Sequence, residues 1–232
     1  MQGLFSYLYS TGQSMKYTDS DKNSEWGIIK SDQVGYSTRD RRFFVVDNFY
    51  EDPYQIRDFA LQQVYFEGEG AVGMRTRKQY LFNGLKEQFE SIMGEKIQDH
   101  TEGGFGWYDV GINGRFQSCK AGTPSVFHCD SQKWAAVIYL TPDAPPQGGT
   151  SFFRHRETKI HHNSQIDWST DIGNRVFNQK TFLDGSPYEK VDTVANVFNR
   201  LVIFDGGLIH SGENYFGWDL ESSRLFHIFF FS

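Results

Sequence analysis

The residues best suited to carry chemistry in this sequence are His128, Asp130 and His210. Alternate side chains of a β-strand share a face, so His128 and Asp130 would point the same way while Cys129 points to the other side. His210 would come from the end of a distant strand. Two imidazoles and one carboxylate on one side of a metal leave three coordination positions of Fe(II) open, which can take a bidentate co-substrate and dioxygen.

The pattern His-x-Asp/Glu is by itself a weak signal. It occurs three times, at 100–102, 128–130 and 155–157. The first copy precedes a Gly-Gly pair and the third lies in a highly charged stretch, so either one could be a surface pair. The alternative for His128 is a strand histidine that is hydrogen-bonded in the core. The residues around the triplet therefore decide its meaning.

Two stretches of the chain carry those residues. The triplet is followed by a strand-like run and a Gly-Gly pair in FHCDSQKWAAVIYLTPDAPPQGGTSFF, and His210 lies in RLVIFDGGLIHSGENYFGWDLESSRLFHIFFF, which opens its last apolar run with Arg224. Over roughly residues 105 to 231 this arrangement resembles the Fe(II)/2-oxoglutarate-dependent oxygenase superfamily, particularly its prolyl 4-hydroxylase-like branch. The segment VDNFYEDPYQIRDFALQQ is similar to the start of uncharacterised phage and bacterial proteins placed in that superfamily.

The resemblance implies a role for five residues. His128, Asp130 and His210 would bind Fe(II), and Arg224 would pair with the distal carboxylate of 2-oxoglutarate. Tyr139 falls where relatives place a tyrosine hydroxyl on the same carboxylate. A planar guanidinium is well shaped to grip a carboxylate in a pocket closed to water, which agrees with the role of Arg224.

The sequence departs from the family pattern at two places. Many members have Arg-x-Ser where this chain has Phe226, and the upstream strand often offers a tyrosine where this chain has residues 117–120, Gln-Ser-Cys-Lys. Co-substrate contacts beyond Arg224 and Tyr139 are therefore left open.

The activity that the resemblance implies is hydroxylation, with 2-oxoglutarate and dioxygen as co-substrates and succinate as a product. Relatives that transfer halide have a small residue at the position of Asp130, so its carboxylate favours hydroxylation or a related oxidation. The substrate would be an organic molecule, a peptide or a protein, and nothing in the sequence identifies it.

Three other functions remain open. A cupin-type jelly-roll protein could hold a metal or another ligand without redox chemistry, although such a protein needs no carboxylate grip like Arg224. A degenerate homologue could serve as a structural part of a particle, although the intact triad argues against this. Nucleic-acid demethylation of the AlkB type would require a basic surface, which an overall pI of about 5.6 does not indicate.

The elements that must position these residues are mostly strands. From about residue 105, short runs rich in Val, Ile, Phe, Tyr and Trp alternate with Gly, Pro, Asn and Asp. The sequence predicts a mainly β fold with flanking helices, whose core is a double-stranded β-helix (jelly roll) of about eight strands. The predicted strands are Trp107–Ile112, Arg115–Lys120, Val126–Asp130, Trp134–Thr141, Thr150–Arg154, Val191–Val197, Leu201–Asp205 and Leu225–Phe231.

We expect one oxygenase-like domain over 1–232. It would comprise an N-terminal extension (1–36), a helical flank (37–104) and the jelly-roll core (105–232), with an insertion at 156–187. In the flank, helical periodicity predicts helices over 53–65 and from Leu85 to Met93. Histidines 155, 161 and 162, at and just inside the start of the insertion, could form a second metal site, but histidines in a polar loop are usually solvated.

Composition limits the remaining classes. The 232 residues are 38% hydrophobic and 17% aromatic, which suits a substantial buried core. The formal charge of −6 disfavours non-specific binding to nucleic acid. Two cysteines, no positively charged leader and no run of 18 apolar residues lead us to expect a cytoplasmic protein that neither spans a membrane nor is exported. The oligomeric state is left open.

Overall fold

The computed structural model describes residues 43–67, 72–177 and 183–232. The predicted N-terminal extension at 1–36 lies outside these residues. The elements in chain order are β1 (Phe43–Val46), α1 (Pro53–Leu61), β2 (Tyr65–Glu67), β3 (Met74–Thr76), α2 (Leu85–Met93), β4 (Arg115–Cys119), β5 (Trp134–Tyr139), β6 (Thr150–His155), a 3-10 turn (Asn163–Gln165), α3 (Ile172–Val176), β7 (Tyr188–Val194), β8 (Leu201–Asp205), β9 (His210–Gly212) and β10 (Arg224–Phe231).

The strands form two antiparallel sheets. The larger has seven strands in the order β1-β8-β5-β10-β4-β3-β2, and the smaller has three in the order β7-β6-β9. Neighbours in the sheets are often distant in the chain, as when β10 pairs with both β4 and β5. The predicted fold class, a mainly β jelly roll with flanking helices, is confirmed.

The two faces of the larger sheet pack against different partners. On its outer face, Ile138 and Phe229 join a cluster that includes Phe89 of α2. On its inner face, Tyr139 and Phe226 join a second cluster with Phe152 of the smaller sheet. This alternation follows from the period of two in a strand, and it means that side chains on the inner face lie between the sheets.

The helices match the sequence patterns closely. Asp52 caps α1 by accepting a hydrogen bond from the Gln55 amide at 3.0 Å, and Pro53 opens the first turn. The helix ends at Leu61 instead of residue 65, because the chain next turns into β2. Helix α2 has the predicted bounds and ends at Gly94, whose positive φ of 72° suits a residue without Cβ.

Two predicted strands, Trp107–Ile112 and Val126–Asp130, do not form. The segment 107–112 forms turns, because the Asp109 carboxylate accepts hydrogen bonds from the Thr101 and Gly106 amides and from His100. The apolar residues of the segment still bury, and Trp107 stacks on Phe229 with ring centroids 5.7 Å apart.

Other bounds differ from the predictions. In the segment 126–130 only His128 takes part in β-structure, through one isolated β-bridge. The short strands β2, β3 and β9, of three residues each, are too short to show periodicity in the sequence. No helix in the described ranges has the length and apolar character that crossing a bilayer requires.

Candidate metal centre

The backbone brings His128 and His210 side by side. The two residues form an isolated antiparallel bridge, in which each amide donates to the other's carbonyl at 3.1 and 2.9 Å. His210 opens β9 on the smaller sheet. Asp130 lies two residues beyond His128, and its amide donates to the Gly206 carbonyl at 2.7 Å. The bridge therefore sets the spacing of the imidazoles, and the second bond fixes the carboxylate beside them.

The side chains of these three residues converge on one point. Their candidate ligand atoms all lie within 4.8 Å of one another. The His128 Nε2 is 3.5 Å from Asp130 Oδ1, and the His210 Nε2 is 3.4 Å from Asp130 Oδ2. Ligands bound at about 2 Å from one metal ion lie about 3 Å apart, so this spacing suits a shared ion.

Hydrogen bonds on the far side of each ring orient the imidazoles. The His128 Nδ1 is 3.0 Å from the Val126 carbonyl, and the His210 Nδ1 is 2.8 Å from the Leu208 carbonyl. A carbonyl can only accept, so each Nδ1 carries the proton. Each Nε2 then presents a lone pair to the point between the rings, which is the tautomer that metal binding requires.

The electrostatics of the three groups reflect their proximity. Burial would raise the pKa of Asp130, but His210 and His128 together hold it below its ordinary value. Burial lowers the pKa of His210 to about 4, and the neighbouring His128 adds to this effect. For His128, burial opposes protonation, but the hydrogen bond and charge of Asp130 raise the pKa.

The donor set fits a divalent cation. Asp130 Oδ2 is buried and has no hydrogen-bond partner among the described residues. Leaving a buried acceptor unpaired costs about 1–3 kcal/mol, and more for a charged group. A metal ion coordinated by this oxygen and by the two Nε2 atoms would remove that cost, and the site would be the 2-His-1-carboxylate set.

The loop after β8 keeps the site compact. A Cβ added to Gly206 would lie 2.4 Å from the Gln132 carbonyl oxygen and 3.1 Å from the Asp130 Cβ, so glycine allows this close approach. The Asp205 Oδ1 accepts a hydrogen bond from the Gly207 amide at 2.9 Å and lies 3.0 Å from the His162 Nε2. His162, from the predicted insertion, thus supports the loop and does not join the triad.

Arg224 and Tyr139 lie together, between the sheets. Arg224 is 2% exposed, and its Nε and Nη2 donate to the carbonyls of Gly148 and Gly149 at 2.8 and 3.3 Å. Its guanidinium carbon is 5.2 Å from the centre of the Tyr139 ring. The Tyr139 hydroxyl is 2.8 Å from the Thr150 Oγ1, which also lies 3.4 Å from Arg224 Nη2.

Strand β6 connects the two groups. Thr150, which contacts Arg224 and Tyr139, pairs with Gly212, while Phe152 two residues on pairs with His210. The two pairs are successive on one face of a two-strand ladder. The five residues proposed from the sequence therefore flank the same short segment of β6 and β9.

The other histidine candidates have different environments. His100 bonds to Asp109 on the surface, and Glu157 of the third triplet pairs with Arg175. His155 bonds to Thr158. Among the described residues, the triad forms the one cluster of three or more His, Cys, Asp or Glu that could hold an ion.

His227 and the two cysteines are structural. Burial lowers the pKa of His227 to about 3, and its ring lies 2.7 Å from the Tyr50 hydroxyl and 3.0 Å from the Gly114 carbonyl. Cys119 and Cys129 are both free thiols. Burial raises the pKa of Cys129 to about 12, so this thiol is not activated as a nucleophile.

Sequence reasoning missed Thr150, which contacts Arg224 and Tyr139, and the arginines Arg75 and Arg115. Arg75 and Arg115 are on strands β3 and β4, on the inner face of the larger sheet. β3 has only three residues and no readable period, so nothing in the sequence indicated on which face Arg75 lies. Two surface clefts, of about 250 and 310 Å³, are lined by residues of the outer, helical side and contain none of the triad.

Comparisons with known proteins find a match to one family model over part of the chain and several similar solved structures. Residues 118–214 match a family of unknown function (DUF6445), a stretch that includes His128, Asp130 and His210. No curated protein matches the sequence.

The similar solved structures are at low identity. HygX from Streptomyces hygroscopicus, with nickel and 2-oxoglutarate bound, is 10% identical, with 80% of this chain and 82% of that chain covered and a TM-score of 0.49. A prolyl hydroxylase from Trichoplax adhaerens, in complex with a peptide fragment of hypoxia inducible factor, is 13% identical, with 83% and 84% covered and a TM-score of 0.44. A Pseudomonas putida prolyl-4-hydroxylase is 13% identical, with 83% and 94% covered and a TM-score of 0.43.

Proposed function

We propose that this protein is an Fe(II)- and 2-oxoglutarate-dependent dioxygenase that hydroxylates an organic or peptide substrate. The observation that carries the proposal is the convergence of two Nε2 lone pairs and the buried, unpartnered Oδ2 of Asp130 on one point. Two imidazoles and one carboxylate with open positions are the ligand set of non-haem Fe(II) oxygenases. Fe(II) with 2-oxoglutarate and dioxygen would supply the oxidising power for C–H hydroxylation.

In this proposal, the chain's residues bind, orient and exclude water. His128, Asp130 and His210 hold the ion, and the carbonyls of Val126 and Leu208 keep the two rings in the binding tautomer. These contacts are made before any ligand arrives, so little reorganisation accompanies metal binding.

Arg224 and Tyr139 would take the distal carboxylate of 2-oxoglutarate. The Nε and Nη2 of Arg224 donate hydrogen bonds to backbone carbonyls and to Thr150. Its Nη1 has no hydrogen-bond partner among the described residues. The Tyr139 hydroxyl bonds to Thr150 and, as both a donor and an acceptor, can still accept or donate one more bond. A carboxylate here would meet a charge that is fixed in place and shielded from water.

A cupin-type jelly roll that binds a metal without redox chemistry is the second candidate. The triad alone fits both functions. The buried Arg224 beside Tyr139 favours the oxygenase, because a metal-binding jelly roll has no need of a buried cationic group close to its metal site.

The deciding experiment is anaerobic addition of Fe(II) and then 2-oxoglutarate to the purified protein. The oxygenase is expected to show the weak visible charge-transfer band of the chelate, which needs iron and co-substrate on the same centre. Asp130→Ala is the matched variant, and it is expected to lose the band and succinate formation but to keep the wild-type melting curve. A wild-type protein that binds iron but shows no band with 2-oxoglutarate would favour the cupin-type candidate.

The cellular setting is part of the proposal. Two free thiols, Cys119 and Cys129, fit a reducing compartment, so we place the protein in the cytoplasm. The net charge of −6 argues against a nucleic-acid substrate. Cell fractionation tests the first point, and an oligonucleotide gel shift tests the second.

A further inference from the structure

The inner face of the larger sheet carries two arginines besides Arg224. Arg75 pairs with Gln117 across β3 and β4, and Gln117 in turn pairs with Phe226 of β10. Residues directly opposite in antiparallel strands share a face, so Arg75 lies on the same face as Phe226, which belongs to the cluster between the sheets. By the same register Arg115 is opposite Ile228, another member of that cluster.

The guanidinium of Arg75 is hydrogen-bonded through its Nε, while its two Nη groups have no partner among the described residues. Its Nε donates to the Gln117 Oε1 at 2.5 Å. Gln117 is itself only 4% exposed and is fixed through its Nε2, which donates to the Val72 carbonyl at 2.7 Å. The two Nη groups of Arg75 have no hydrogen-bond partner among the described residues, so a guanidinium fork is presented with its orientation already set.

Arg115 adds a second unmet donor. Its Nε is buried and has no hydrogen-bond partner in the described chain. Neither Arg75 nor Arg115 forms an ion pair with any acidic residue of the described ranges. Arg75 pairs with Gln117, which is two residues from Arg115 on the same face of β4, so the two charges are near each other. Burial, and to a smaller extent the repulsion by Arg115, lowers the pKa of Arg75. Two half-buried cations without an acidic partner are costly unless an anion binds.

The partner of Arg75 links it to both parts of the proposed active site. The Gln117 Nε2 is 3.6 Å from the Cys119 Sγ, and Cys119 pairs with Arg224 across β4 and β10. Gln117 also pairs with Phe226, which belongs to the same cluster as Phe152, the β6 partner of His210. Arg75 therefore lies on the face of the larger sheet that is turned towards the candidate metal centre.

The charges of the proposed function leave these two arginines unmatched. Fe(II) and Arg224 bring three positive charges, which the Asp130 carboxylate and the two carboxylates of 2-oxoglutarate cancel. The charges on Arg75 and Arg115 remain, and the co-substrate has no further carboxylate to offer. A second anionic molecule is the natural partner.

We propose that Arg75, oriented by Gln117, and Arg115 form a subsite for a carboxylate or phosphate group of the substrate, beside the metal centre. This rests on the proposed function for the identity of the neighbouring site. It narrows the substrate to an anionic molecule whose oxyanion lies within reach of the guanidinium fork.

The test uses Mn(II)-substituted protein with saturating 2-oxoglutarate, and benzoate, phenyl phosphate and the neutral benzamide as probes. Paramagnetic relaxation of the probe protons reports binding near the metal. Benzoate or phenyl phosphate is expected to bind and benzamide is not, and the tighter of the two anions identifies the kind of oxyanion. Arg75→Gln and Arg115→Gln are each expected to lower the affinity for the anion by about tenfold or more, which is the effect of losing one charge-assisted hydrogen bond.

The controls separate the explanations. Arg154→Gln removes an arginine that pairs with Glu189 at the surface, and it is expected to leave probe binding unchanged. Arg75→Lys keeps the positive charge but lacks the guanidinium fork, and it replaces Arg75→Gln in the test if that variant does not fold. It is expected to bind the anion more weakly than the wild-type protein. Unchanged anion binding in both glutamine variants, no anion binding in wild type, or displacement of the anion by 2-oxoglutarate would each overturn the subsite.

Failure of the proposed function would look different. In that case the wild-type protein would not bind Mn(II) and 2-oxoglutarate together. Calorimetric titration of metal-free protein with benzoate or phenyl phosphate, compared with Arg75→Gln, then decides the anion subsite by itself.

Discussion

Replacing Arg224 by glutamine separates its structural role from its proposed role in binding 2-oxoglutarate. The guanidinium is buried and donates to the carbonyls of Gly148 and Gly149 and to the Thr150 hydroxyl. Glutamine is shorter and can satisfy at most part of this set. Leaving one or two buried acceptors unpaired costs about 1–3 kcal/mol each, so we expect Arg224→Gln to lower the free energy of unfolding by about 2–4 kcal/mol.

The same change is expected to lower the affinity for 2-oxoglutarate by a larger factor than the affinity for the metal. Removing one partner of a buried, hydrogen-bonded charge pair costs about 2–5 kcal/mol, which corresponds to roughly 30-fold or more in affinity. Metal binding should change little, because Arg224 is not part of the triad.

Urea unfolding gives the stability change, and calorimetric titration of 2-oxoglutarate into the Mn(II)-substituted protein gives the affinity. Arg154→Gln, which breaks an exposed ion pair, is the matched control and should cost less than about 1 kcal/mol. A variant that loses stability but keeps its affinity for 2-oxoglutarate would show that Arg224 only braces the Gly-Gly turn. That result would refute the carboxylate role and favour the cupin-type function.

Two further predictions concern the frame around the site. His227→Gln should reduce the acid sensitivity of the fold: the buried ring, with a pKa of about 3, stays neutral in the native state while the unfolded chain takes up a proton below about pH 6.5. This pKa difference leaves the wild-type free energy of unfolding at its full value above about pH 6.5 and lowers it by about 1.4 kcal/mol per pH unit towards pH 3. Urea unfolding from pH 7 to 4 should therefore show that the free energy of unfolding depends less steeply on pH in the variant. Equal slopes would contradict the burial of a neutral His227. Gly149→Ala would place a Cβ 2.0 Å from the Val194 carbonyl oxygen and should cost about 1–3 kcal/mol or more, whereas Gly111→Ala, with no atom within 4 Å, should be close to neutral; equal melting temperatures for the two variants would show that the turn has room to relax.

The parts of the fold that were predictable have strong local signals. Helix α2 was predicted with its observed bounds because its apolar residues recur at the helical period and Gly94 ends it with a left-handed backbone. Strands β5, β8 and β10 were found because they are long and apolar. The segment 107–112 was misread because its aromatic and aliphatic residues resemble a strand, whereas the hydrogen bonds of Asp109 that fold it into turns join residues up to nine apart.

The candidate site shows a similar division. His128, Asp130 and His210 could be proposed as metal ligands because the triplet and the motifs around it can be read directly from the sequence. What the sequence could not provide was the pairing that joins them: β9 has three residues, and the bridge between His128 and His210 spans 82 positions of the chain.

The arginines illustrate why the remainder of the site was hidden. Arg75 and Arg115 are forty residues apart and belong to different strands, and as isolated arginines in the sequence they would most often be solvated surface residues. Only the register of β3, β4 and β10 places them on the face that carries Arg224. The proposed anion subsite depends on two properties of these arginines, the lack of an acidic ion-pair partner in the described ranges and a position on the inner face, and both depend on long-range pairing. For this reason the candidate metal ligands could be proposed from sequence motifs, whereas the arginines proposed to bind the substrate are recognised only from the pairing of the strands.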